Sequence, residues 1–328
     1  SNTPGPHNPE NKLILQRALD DKTLAARFKL GLDELSKKLA VCHNRLLAAR
    51  SQRVRPGTDD KILTAWNALA LTTFAEAGRY LSRPDYLDAA ARNARFLLDN
   101  LIVEDRLLRS WRAGTARHNA YLEDYAGLIL GLLALYQSQP NSDWYIHALK
   151  LADDMLEHYT DPHGGFFDTR DDHETLLLRP KDIQDNATPS GNALAATALL
   201  QLAEYGDRLE WRKLAEDLLA VVLESAIRYP TAFAKWLSAA DFALGPTRQV
   251  ALIGDQHLPA TQALLSVLWK NYMPRQVTAI SIDPPPDGSP ALLKDRPLVK
   301  GQPTAYVCQG FVCLQPVNDP DDFAEQLA

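Results

Sequence analysis

Asp59-Asp60-Lys61-Ile62-Leu63-Thr64-Ala65-Trp66-Asn67 is the stretch that decides the fold class of this chain. It opens a helix expected to run to about Gly78, and from Ile62 to Ala75 that helix carries no charged residue. A helix apolar on every side is one that protein surrounds. Its first turn nevertheless begins with two adjacent carboxylates, and a Trp-Asn pair follows one to two turns later. Polar groups at the mouth of a buried helix mark the place to look for a site.

The same device recurs along the chain. Leu122-Glu123-Asp124-Tyr125 opens a second uncharged helix over Ala126 to Tyr136. Thr188-Pro189 supplies an N-cap and a proline at the first helical position for a third, Ser190 to Ala203. A fourth, less clean, is expected over Thr231 to Leu244. Between them lie amphipathic helices at Asp85 to Leu101, Asp143 to Tyr159 and Glu210 to Arg228. The uncharged helices start near Asp60, Glu123 and Ser190, a recurrence of roughly 65 residues. Each pairs with a charged helix as an αα-hairpin, and repeated hairpins of this kind make two layers, a toroid or a solenoid. In a toroid the inner-helix starts gather at one end.

The remaining segments fit around that frame. Residues 11 to 53 read as helix broken near Lys29 to Leu32, and Leu35, Leu39, Cys42, Leu46 and Leu47 form a stripe that should cover other protein. Leu107 to Arg117 is a loop or hairpin. Asp161 to Thr169 reads as a turn into a short strand with a partner near Leu176 to Arg179. In the tail, Gln249 to Ile253 and Gln276 to Ile282 are strand-like around a helix from about Pro259 to Asn271. Ala305 to Cys308 and Phe311 to Leu314 are two further extended pieces. The expected fold is mainly α: an (α/α) hairpin toroid, incomplete as a ring, over 11–245, with a small α/β segment over 246–328 packed on the same domain.

Composition narrows the partners. A net charge of −6 across 328 residues leaves no basic face for nucleic acid. No apolar run reaches the roughly 20 residues of a membrane span, and no signal-peptide pattern opens the chain. Ser1-Asn2-Thr3-Pro4-Gly5-Pro6 looks like a cloning scar or a cut within a longer polypeptide. Cys42, Cys308 and Cys313 are too few and too unevenly spaced for a disulfide framework, which points to a reducing cytoplasm.

Several motifs together resemble the YyaL / spermatogenesis-associated protein 20 family. They are Arg53-x-Arg55-Pro56-x-x-Asp59-Asp60-Lys61-Ile62-Leu63-Thr64-x-Trp66-Asn67, Leu122-Glu123-Asp124-Tyr125-Ala126, Gly164-Gly165-Phe166-Phe167-x-Thr169, Arg179-x-Lys181-Asp182, Pro189-Ser190-Gly191-Asn192 and Ala305-Tyr306-Val307-Cys308. The resemblance implies a toroid similar to six-hairpin glycosidases and sugar 2-epimerases, preceded in the family by a thioredoxin-like domain. This chain shows no such domain and no counterpart of the first toroid hairpins, so it resembles the C-terminal half. Ala68 stands where the family usually has glycine.

The candidate chemistry is carboxylate chemistry on a sugar. Asp59, Asp60, Glu123 and Asp124 are the catalytic candidates, as acid or base. Set against this, Asp59 caps its helix and Asp60 favours the helix's positive end, and the same holds for the second pair. Trp66 and Tyr125 are candidate stacking platforms, or core. Asn67 and Asn192 are buried amides that need partners, from the protein or a ligand. Ser190 stands at an inner-helix start. Arg112, His118, Lys181, Asp182 and Asp185 lie in the loops, as site groups or as solvated charges. No cofactor and no metal is implied: Cys308 and Cys313 lack the further ligands of a zinc site, and packing is their expected role. The expected ligand is a saccharide, with glycosidase- or sugar-epimerase-like activity. The alternative is a non-catalytic scaffold or interaction half that works with a thioredoxin-like domain or the N-terminal half of a longer protein.

Overall fold

The structure is a computed structural model that describes residues 17–173, 177–310 and 312–328. It divides into two compact units, 1–59 and 60–328. The first holds α1 (Asp21–Phe28) and α2 (Leu32–Ser51), so the helix break falls where Lys29 adopts a left-handed φ of 55°. The stripe expected to cover other protein is only partly buried: Leu35 is buried and Leu39 half-buried, but Cys42, Leu46 and Leu47 are exposed. The expected helix over 11–16 and the sequence opening at Ser1 lie outside the described residues.

The second unit is built from hairpins. After β1 (Ile62–Leu63), α3 (Thr64–Tyr80) pairs with α4 (Pro84–Leu101). The segment expected as loop or hairpin is a hairpin: β3 (Arg106–Arg112) and β4 (Thr115–Asn119) pair antiparallel, and β1 and β2 (Ile102–Val103) also pair with β3. Then α5 (Leu122–Ser138) pairs with α6 (Ser142–Tyr159), and α7 (Gly191–Ala203) with α8 (Glu210–Arg228). The last of the helical body is α9 (Ala234–Leu244). The inner helices pack in the series α3–α5–α7–α9, so the hairpins form an (α/α) toroid segment. No strand forms over Asp161 to Thr169; a single antiparallel bridge joins Thr160 and Phe166 instead. Residues 177–179 are irregular, and Leu176 lies outside the described residues.

Small residues let the inner helices approach closely. A Cβ on Gly131 of α5 would stand 2.8 Å from Leu71 Cδ2 and 3.1 Å from the Ala68 carbonyl of α3. At the far ends of the same two helices, the Ser138 hydroxyl lies 2.8 Å from the Ala134 carbonyl and 3.1 Å from that of Ala75. Every residue of α5 except Glu123 is buried, and every residue of α7 except Gln201. α3 departs from this expectation. It buries Ala65, Ala68, Leu71 and Ala75 but exposes Trp66 (64%) and Phe74 (40%).

The tail is a four-stranded sheet, β6 (Gln276–Ser281), β5 (Arg248–Ile253), β7 (Thr304–Gln309) and β8 (Val312–Cys313) in that order. β5 alternates its faces. Ala251 and Ile253 join the helical core, while Val250 and Leu252 pack with α10 (Pro259–Leu268) and α11 (Pro320–Leu327). Cys308 and Cys313, expected merely to pack, are joined by a disulfide across β7 and β8. Cysteine usage therefore no longer argues for a reducing compartment. Among the described residues no helix is long and apolar enough to cross a membrane.

Gly131→Val should lose about 1–3 kcal/mol of stability in urea unfolding, because the Ala68 carbonyl cannot move aside as a side chain can. Gly57→Ala, with nothing within 4 Å of the added carbon, should stay within about 0.5 kcal/mol of the parent.

Candidate functional site

The acids at the inner-helix starts have unequal roles. Ile62 and Leu63 pair with Trp111 and Ser110 of β3, so α3 begins at Thr64 rather than at the aspartates. Its N-cap residue, Leu63, offers no side-chain acceptor. The acceptor comes from α5 instead. Asp124 Oδ1 accepts from the Ala65 N–H at 2.8 Å, while Oδ2 accepts from the Tyr121 N–H at 2.8 Å and from Arg109 at 3.1 Å. One carboxylate thus closes the first turn of two helices and holds a β3 arginine. Asp124 is fully buried. Burial is the largest influence on its carboxyl and pushes it up to about 6; the amide bonds and the Arg109 charge pull the other way without cancelling it.

A pocket of about 460 Å³ opens beside this knot, at the starts of α5 and α7. Glu123, Asp168 and Asp182 line it together with Arg109, Tyr121 and His173. Glu123 Oε1 accepts from Arg109 at 2.9 Å, and the same guanidinium lies over the Tyr121 ring at 4.3 Å. Asp168 is half-buried in a loop that is pinned on both sides. Its carbonyl accepts from Leu122 N–H at 3.0 Å, its own N–H donates to the Pro180 carbonyl at 2.8 Å, and its Oδ2 accepts from Asp182 N–H at 2.8 Å. Burial raises the Asp168 carboxyl above its ordinary value, with the charges of Asp182 and Glu123 adding to the effect. His173 Nδ1 is buried without a hydrogen-bond partner.

No family model matches the chain. Spermatogenesis-associated protein 20 of Homo sapiens is 30% identical over 338 residues, 97% of this chain and 42% of the human protein. The Mus musculus protein of the same name matches with the same identity and coverage. This chain is a homologue of the C-terminal part of spermatogenesis-associated protein 20. It spans about two fifths of the length of these relatives (42%). Among solved structures, a cellobiose 2-epimerase from Spirochaeta thermophila is similar with a TM-score of 0.41 at 23% identity, over 49% of this chain and 43% of that one. An unsaturated glucuronyl hydrolase from Bacillus sp. GL1 has a TM-score of 0.41 at 18% identity, over 52% and 49%.

The residues singled out in the sequence land in different places. Of the four expected catalytic acids, only Glu123 lines the pocket. Asp124 turns its oxygens to backbone amides inside the core and does not line the pocket. Asp60 pairs with Arg112 at 2.5 Å on the exposed surface, which accounts for both. Asp59 belongs to the first compact unit and is exposed. The N-cap position of α3 is held by Leu63.

The expected binding residues divide in the same way. Tyr125 is core: it stacks near Tyr159, and its hydroxyl donates to Asp154 at 2.5 Å. Trp66 is exposed on α3, and the Asn67 amide donates to the Leu63 carbonyl at 2.9 Å. Asn192 clamps Phe166, accepting from its N–H and donating to its carbonyl, each at 2.9 Å. Lys181 pairs with Asp161 at 3.0 Å. Asp182 and Ser190 line the pocket, and Ser190 rather than Thr188 caps α7, accepting from Ala193 N–H at 3.2 Å. Asp185 accepts from Ser190 N–H at 2.9 Å and from Lys235 N–H at 2.7 Å, joining the starts of α7 and α9. Arg109, Tyr121, Asp168 and His173 were not foreseen. A signal existed for Asp168: it fills the open position of the Gly164-Gly165-Phe166-Phe167-x-Thr169 motif.

The raised Asp124 carboxyl fixes a pH dependence. The folded chain binds this proton more tightly than the unfolded chain, whose aspartate keeps the ordinary 3.8. The contribution of Asp124 to stability therefore falls as pH rises from 3.8 to about 6, then levels off. Asp124→Asn should remove that slope from denaturation free energies measured across the window. It should also cost about 1–3 kcal/mol, since the amide sets a donor against the N–H of Ala65 or Tyr121. A slope that survives unchanged in the variant would refute the assignment.

Proposed function

We propose that the pocket at the starts of α5 and α7 binds a saccharide and that Glu123 and Asp168 act as its acid–base pair. The carrying observation is the convergence of Glu123, Asp168 and Asp182 with Arg109 and His173 around one pocket of about 460 Å³. Its size is that of a small-molecule site. The two leading acids have different surroundings, which is how one site separates a proton donor from its partner. Glu123 is paired with a guanidinium, whereas Asp168 is raised by burial and neighbouring acids and so is the group suited to deliver a proton. Tyr121 offers a ring at the rim and His173 a buried, unpartnered nitrogen. Hydrolysis and epimerisation both use such a pair.

A second reading has its own support. Trp66 and Phe74 stand exposed on an inner helix, and the relatives are more than twice as long as this chain. On this reading the chain is the interaction half for another part of a longer protein, and α3 is the face that part covers.

Titration calorimetry with a panel of neutral mono- and disaccharides separates the two. Binding that weakens about tenfold or more in Glu123→Gln and Asp168→Asn, with folding intact by circular dichroism, supports the sugar site. No heat from any neutral sugar at millimolar concentration would sink it.

A further inference from the structure

A second cavity lies on the inner faces of α3, α5, α7 and α9, toward the C-terminal ends of α3, α5 and α7, away from the pocket at their starts. Its volume is about 620 Å³, and the segment Tyr272–Gln276 borders it beside the tail sheet. Two cations, Arg79 and Lys235, line it together with the acids Glu76 and Asp241. Arg79 is buried, at 7% exposure. One of its terminal nitrogens reaches the Ser138 hydroxyl at 3.1 Å and the Ala134 carbonyl at 3.4 Å, and its guanidinium lies 4.7 Å from the centre of the Tyr80 ring. Its Nε is buried with no hydrogen-bond partner, and among the described residues no carboxylate pairs with it. A buried guanidinium left with neutral partners is costly unless something else neutralises it.

Each of the two acids that line the cavity has another cation beside it. Asp241 is engaged by Arg275. Glu76 acts with Asp185 on Lys235, both favouring its ammonium against the burial that disfavours it. Gln276 presents a second buried, unpartnered atom, Oε1, at the same wall. Around these, Thr72, Thr197 and Gln201 offer hydrogen-bonding side chains, and Tyr80 and Tyr272 meet edge to face at 5.4 Å.

The geometry points to a binding site for a small polyhydroxylated anion, its carboxylate or phosphate group held between Arg79 and Lys235 and its hydroxyls met by Thr72, Thr197 and Gln201. The planar guanidinium supplies paired donors suited to either oxyanion, and the lysine supplies a point charge. The volume accommodates a ligand of one or two sugar rings. This site does not depend on the pocket formed by Glu123 and Asp168.

The test is calorimetry on the whole chain with four probes: D-glucuronate, D-glucose 6-phosphate, D-glucose and inorganic phosphate. Glucuronate or glucose 6-phosphate should bind, the preferred one identifying the oxyanion, and D-glucose should bind at least about tenfold more weakly. Lys235→Gln should weaken the anionic sugar about tenfold. Arg79→Gln should abolish it, read alongside thermal unfolding because that side chain is in the core; Lys235→Gln tests the site even if Arg79→Gln does not fold. No binding of either anionic sugar at millimolar concentration overturns the proposal. So does binding that Glu123→Gln abolishes and Lys235→Gln spares, and so does binding of inorganic phosphate as tight as that of the sugars. Failure of neutral sugars alone touches only the other pocket.

Discussion

One buried carboxylate sets the relation between the first two inner helices. Asp124 closes the start of its own helix, closes the start of α3 across the interface, and grips Arg109 on the neighbouring strand. Such a group is tolerated in the core only because its oxygens are met by donors. The arrangement fixes the level of α3 against α5, and the small residues between them then allow the two backbones to approach. Asp185 does a related task further round, accepting from the first turns of α7 and α9. Two of the acids near inner-helix starts, Asp124 and Asp185, are thus consumed in setting neighbouring helices in register.

What those acids leave over shapes the pocket. Glu123 is the one residue of α5 not buried, and it faces outward beside the carboxylate that holds the helix. Asp168 arrives from a loop between hairpins, pinned by Leu122 and Pro180. The structural and the exposed acid are sequence neighbours, one turned into the core and one out of it. Successive helical positions point about 100° apart, so adjacent acids are bound to meet different surroundings.

The helices were legible because burial leaves a periodic trace. Glu210 to Arg228 is helix over the span its charged face suggested, and the uncharged runs of α5 and α7 are buried almost throughout. The start of α3 was misread. Two aspartates before an apolar run look like a cap, yet pairing of Ile62 with Trp111 carries them away from the helix. That pairing joins residues far apart in the chain and leaves no local signal. The same holds for Asp168, whose place depends on backbone bonds to distant segments, and for Arg79, which reads as an ordinary arginine on the last turn of its helix. The disulfide between Cys308 and Cys313 follows from strand register, which two short extended runs do not fix by themselves.

The Ser138 hydroxyl has a consequence for how the body comes apart. It joins the last turn of α5 to the α3 backbone, while Asp124 joins the first turns. Helices fastened to each other at both ends cannot fray singly: opening the end of one exposes polar groups of the other. Stacked repeats joined only by side-chain packing lose their end units one by one. Here the ties at both ends of α3 and α5 favour opening of the two hairpins together over opening of one helix at a time.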